Sequence, residues 1–98
     1  MKRLRFQWDA RKAVANLRKH GVSFEEARSV FLDENALLRP DDDHSDDEDR
    51  FVLLGVSVRL RTLVVCHCYR QEDEVIRLIS ARKANSDERR QYDDRRTK

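Results

Sequence analysis

Residues 50–81 read RFVLLGVSVRLRTLVVCHCYRQEDEVIRLISA, and this stretch decides the fold. It divides into three strand candidates, Arg50 to Val58, Thr62 to Tyr69 and Glu74 to Ala81. Each is rich in Val, Leu and Ile, and short polar turns part them. Such a run predicts strands that follow one another antiparallel. Successive side chains in a strand point to opposite faces. In the second strand Leu63, Val65 and His67 therefore share a face, and Val64, Cys66 and Cys68 share the other. In the third, Val75, Arg77 and Ile79 share a face, and Ile76, Leu78 and Ser80 the other. The all-apolar phase is expected to pack on helices, which leaves His67 and Arg77 together on an open sheet face.

Upstream, residues 3–8 (RLRFQW) alternate, as a strand with one buried face does. Asp9 caps a helix to about His20, and Gly21 is a natural C-cap. The apolar stripe of that helix is Ala10, Ala13, Val14 and Leu17, and its other face carries Arg11, Lys12, Arg18 and Lys19. Ser23 to Glu26 (SFEE) reads as a capping box opening a second helix to about Leu32, with Phe24, Ala27, Val30 and Phe31 toward the core. Residues 36–39 (ALLR) make a short strand ended by Pro40. Residues 85–88 (NSDE) cap a last helix to about Arg95, almost wholly polar, with Tyr92 its one large apolar group. Such a helix is expected to dock weakly or to meet a partner. The order is β-α-α-β-β-β-β-α. It predicts an α+β fold with a mostly antiparallel sheet and helices packed on one face. Residues 1–98 form one domain, with an acidic loop at 41–49 and a polar helix and tail at 85–98.

Charged residues make up 41% of the 98-residue chain and apolar ones 39%, which favours a shallow site over a deep one. No apolar run of about 18 residues exists to span a membrane. The basic N-terminus, Met1 to Arg5, has no apolar region after it, as a secretory signal would. The expected location is the cytoplasm. Cys66 and Cys68 stand two apart on one strand, where a disulfide would be strained, so both are expected as reduced thiols. The net charge is +2, but residues 41–49 (DDDHSDDED) hold seven acids and no base, so the remainder carries +9. A basic body suits a polyanion, and its acidic segment suits a basic partner or the chain's own basic face.

Several residues could carry chemistry. His67 and Arg77 do so if they share the open face. His20 ends the first helix and carries an imidazole, a group type that can serve as acid or base. Glu48 and Arg50 lie two apart at the start of a strand, where a carboxylate could deprotonate a ribose 2′-hydroxyl and a guanidinium could hold a phosphate. Metal chemistry fits poorly. The acidic segment lacks the glycine and closing Glu of a calcium loop. Cys66, His67 and Cys68 alternate across a strand and cannot face one zinc ion. No cofactor motif is present, and Gly21 and Gly55 form no phosphate loop.

Four stretches together resemble the BrnT toxins of type II toxin–antitoxin pairs, from Phe6 to about Tyr92. They are FQWD with Lys12, NLRKHGVSFEEA at 16–27, DDDHSDDEDRF before Gly55, and IRLISARKA at 76–84 with Glu88 and Tyr92 after it. Ala10 and Asp47 depart from the pattern, where such sequences carry Pro and Gly. The resemblance implies a RelE-like fold and an endoribonuclease that stops growth by cutting RNA. It implies a ribbon-helix-helix antitoxin, a two-plus-two complex and binding to operator DNA. It directs attention to His20, Glu48, Arg50, Arg77 and Arg82, and leaves the base open between His20, Glu48 and His67. Arg11, Lys12, Arg18, Lys19, Arg61 and Lys83 are the expected RNA contacts. A non-catalytic module holding RNA or protein on the same basic face is the competing expectation.

Overall fold

The computed structural model describes residues 4–41, 49–72 and 74–97. Its elements are β1 (Arg5–Gln7), α1 (Ala10–His20), α2 (Phe24–Ser29) running into a 3-10 turn (Val30–Leu32), β2 (Leu37–Pro40), β3 (Phe51–Val56), β4 (Thr62–Arg70), β5 (Val75–Lys83) and α3 (Ser86–Arg96). The strands form one sheet in the order β1-β5-β4-β3-β2. The β2–β3, β3–β4 and β4–β5 pairs are antiparallel, and β1 joins β5 in parallel. The fold is thus α+β on a mixed, mostly antiparallel sheet. The segment 42–48, with Glu48 in it, falls outside the described residues.

Helix ends follow local chemistry. Asp9 accepts from the Arg11 and Lys12 amides, and Gly21 closes α1 at φ 69°. Asn85 and Glu88 form a complete capping box on α3. At α2 only half of the expected box exists. Ser23 accepts from the Glu26 amide at 3.0 Å. The Glu26 side chain turns inward instead, to Ser57 Oγ at 2.7 Å and to Arg61.

The main core lies between the sheet and the α1–α2 layer. Phe24, Ala27 and Val30 meet Leu53, Leu63 and Leu78 there. Of the expected stripe of α1 only Ala13 packs against it. Val14 and Leu17 are exposed, and the buried residue of α1 is Asn16. Its amide donates to the Val22 and Ala81 carbonyls at 2.9 Å, and its carbonyl accepts from the Ala81 amide at 3.0 Å. A helix pinned to a strand backbone by a short polar side chain lies with that side down, so the aliphatics turn to water.

Helices do not all share one face. Leu54, Val64, Ala84 and Tyr92 form a second cluster, on the face opposite Leu53 and Val65. There α3 is docked through Tyr92, whose hydroxyl donates to Asp33 at 2.6 Å. Asp33 also accepts from the Val56 and Asn35 amides, both at 2.9 Å. Burial pushes the Asp33 carboxyl up, but these donors together hold it below its usual value. Burial, then Asp33, pushes the Tyr92 hydroxyl up to about 12.

Candidate functional site

A register shift in the β4–β5 pair decides which side chains meet. Cys66 pairs with Ser80, but His67 pairs with Leu78, so Ile79 is an extra residue. Such a bulge reverses the alternation beyond it. His67 and Arg77 consequently lie on opposite faces, contrary to the expectation from strand phase. His67 is fully buried on the helix-covered face, edge-on to Phe31 at 4.9 Å and Tyr69 at 5.2 Å. Nδ1 lies 3.1 Å from the Val65 carbonyl and Nε2 3.2 Å from the Tyr69 hydroxyl. Burial lowers its pKa. A group without exposed surface cannot reach a substrate, which removes His67 as a base.

The opposite face is covered by α3 over only part of its extent. Beyond Tyr92, Asp41, Arg50, Val52, Cys66, Ser80 and Arg82 line a groove of about 320 Å³. Arg50 immediately precedes β3, and Asp41 immediately follows β2. The Asp41 amide donates to the Arg50 carbonyl at 2.7 Å, which continues the β2–β3 ladder and seats both at one end of the groove. Ser80 and Arg82 come from β5, opposite Cys66 and Val64. Arg77 shares this face, paired with Cys68 of β4 and flanked by Gln7 of β1. Arg82 makes two bonds to Glu88, at 2.8 and 2.9 Å, and these hold Glu88 below its usual pKa.

Cys66 Sγ lies 3.6 Å from Asp41 Oδ2. Burial first, and Asp41 second, push its thiol up to about 11, with Arg50 opposing. It is therefore a neutral lining group and not a nucleophile. The groove offers guanidinium groups and a hydroxyl, which suits a phosphodiester.

The remaining sequence candidates lie elsewhere. His20 ends α1, on the far side of the sheet. Arg11, Lys12, Arg18 and Lys19 are exposed on the same helix, and Lys83 is exposed at the end of β5. Arg61 is not a free cation for RNA. It is bound to Glu26 and donates to the Gly21 carbonyl at 3.0 Å. That hydrogen-bonded pair, helped by Ser57, holds Glu26 below its usual pKa against the cost of burial. Asp41 and Ser80 were missed among the site residues. Pro40 ending a strand just before Asp41 is a readable signal. The bulge that turns Ser80 into the groove leaves no mark on an apolar run.

The chain is thus a small domain of the α+β class with an arginine-lined groove on a half-covered sheet. The chain belongs to the BrnT family, the ribonuclease toxins of type II toxin–antitoxin systems, whose pattern matches residues 8–88. Its fold is similar to the 1.1 Å crystal structure of the ribonuclease toxin BrnT from Brucella abortus, with a TM-score of 0.66 and 23% identity, over 86% of this chain and 100% of that one. Comparison with curated proteins gives no match. Among the described residues no helix is long and apolar enough to cross a membrane.

Proposed function

We propose that this ribonuclease toxin cuts RNA in the β3–β4–β5 groove without a metal, by attack of a ribose 2′-hydroxyl on the adjoining phosphate. The observation that carries this is the meeting of Arg50, Ser80 and Arg82 in one groove on the uncovered part of the sheet. The 2′-oxygen forms a bond to phosphorus as a base takes its proton. The bond to the 5′-oxygen breaks, and that oxygen takes a proton from water. A 2′,3′-cyclic phosphate remains. Arg50 and Arg82 steady the charge that grows on the phosphorane, with Arg77 beside them. The base is Glu48, two residues before Arg50 in the chain, rather than His20, whose helix packs on the other face. Cleavage arrests translation and growth in the cytoplasm. A ribbon-helix-helix antitoxin neutralises it in a two-plus-two complex that binds operator DNA.

The test is cleavage of RNA in EDTA, with products read for cyclic phosphate ends. Arg50→Ala is expected to lower the rate roughly 10²–10³-fold, the loss typical of a transition-state donor. Glu48→Gln should lose activity and His20→Gln should keep it. Activity abolished by EDTA and restored by Mg²⁺ would sink the mechanism. Salt-sensitive RNA binding without any products would make the chain a holding module instead.

A further inference from the structure

Exposed aliphatic side chains stand on the β3–β4 turn and on α1, whose C-terminal end the turn touches. Val58 and Leu60 of the turn are 69% and 85% exposed, and Val14 and Leu17 of α1 are 57% and 51% exposed. The turn is stitched to both helices. Arg61 reaches the Gly21 carbonyl at the end of α1, and the Val58 amide donates to Ser29 Oγ at the end of α2, at 2.9 Å. Within the turn, Ser57 and Arg61 pair at 2.9 Å, and the Leu60 amide donates to the Ser57 carbonyl at 2.9 Å. Leu60 nevertheless sits at φ 62°, a conformation that disfavours a branched side chain. A strained, rigidly held and water-exposed leucine is a feature that folding alone does not reward.

The α1 helix carries one sign of charge. Residues 10–20 contain Arg11, Lys12, Arg18 and Lys19 and no acid. Arg59, at the tip of the turn, is exposed beside the buried Glu26.

We propose that the 58–60 turn and the outer side of α1 form one docking surface for an acidic amphipathic helix of the antitoxin. The proposal rests on the reading of the chain as a toxin with a cognate antitoxin. An acidic helix answers both features at once, its apolar stripe on Leu60, Leu17 and Val14 and its carboxylates on the flanking cations. RNA would satisfy the cations alone, since single strands are held by aromatic or guanidinium stacking rather than by aliphatic groups. A second copy of this chain would set like charges against each other.

The experiment titrates the purified cognate antitoxin into the parent chain, Leu60→Asn and Leu17→Glu by calorimetry. Asparagine accepts the left-handed backbone, so Leu60→Asn should melt no lower than the parent. Each variant should bind the antitoxin about tenfold more weakly or worse, the size of a lost interface anchor. Cleavage by the free chain should not change. Unchanged affinity in both variants overturns the proposal. So does normal antitoxin binding with weakened RNA cleavage, which would place RNA on this surface. Self-association of the parent that Leu60→Asn abolishes would assign the surface to a second copy. Growth arrest by the chain alone tests the toxin reading separately, because its absence would not depend on these residues.

Discussion

His67 fills a core position among Phe31, Phe51 and Tyr69, and burial keeps its imidazole neutral. The folded pKa is lowered, so between that value and the unfolded value near 6.5 the unfolded chain holds a proton that the folded chain lacks. Stability is therefore full above about pH 6.5 and falls as the pH drops, by up to about 1.4 kcal/mol per pH unit. Urea unfolding at pH 7.5 and 5.5 should show this loss, and His67→Phe should remove it. Gly55 is held by space rather than by its torsion. A Cβ there would lie 2.9 Å from Val30 Cγ1 and 3.0 Å from both Ala36 Cβ and Asp33 Oδ2. Gly55→Ala is expected to cost roughly 1–3 kcal/mol by overpacking, read as a lower urea midpoint. Arg61 acts through Glu26, whose side chain is 3% exposed. Arg61→Ala leaves that buried carboxylate with only Ser57 and the more distant Arg59, and should cost about 1.5–3 kcal/mol. RNA cleavage per folded molecule should stay at the parent level, because Arg61 is absent from the groove. An equal loss of cleavage in the folded fraction would refute that placement.

The elements show where local chemistry speaks and where it is overruled. Asp9, Gly21 and Asn85 announce helix ends through groups that satisfy the terminal amides and carbonyls, and all of them act as read. The strands of residues 50–81 were equally plain, because apolar runs between polar turns leave few alternatives. Arg50 was singled out from its place before a strand, and it lines the groove. Side-chain direction was less so. One extra residue at Ile79 parts His67 from Arg77, and nothing in VIRLIS marks it. Asn16 overrides the stripe of α1 by bonding a strand 65 residues away, which no helical periodicity encodes. The polar α3 is fastened by Tyr92 on Asp33, by Arg82 on Glu88 and by Arg39 on Gln91 at 2.5 Å. Tyr92→Phe removes a donor from a half-buried carboxylate, at a cost of about 1–2 kcal/mol. Amides of α3 should then exchange hydrogen faster than those of α1, while a uniform increase over the whole chain would mean that α3 is no separate unit.

At the scale of the molecule, charge and topology set the behaviour. If the two groove arginines (Arg50 and Arg82) and Arg77 on the same face each release a counterion from single-stranded RNA, log affinity should fall with log salt at a slope of about −2. Arg77→Ala should make that slope shallower. A slope unchanged by Arg77→Ala would move the main RNA contact off this face. The sheet is closed by its two most distant parts, since β1 from the first residues lies beside β5 from the last quarter, with Arg5 against Val75 and Gln7 against Arg77. The same strand receives α1 through Asn16 and Ala81. While the chain is being synthesised, β1 and both early helices must therefore wait for a template that emerges well after them. A fragment ending at Glu74 should show no cooperative unfolding and no growth arrest. Because β5 lies so far downstream of β1 and α1, the fold, and with it the groove, depends on translation continuing past residue 83.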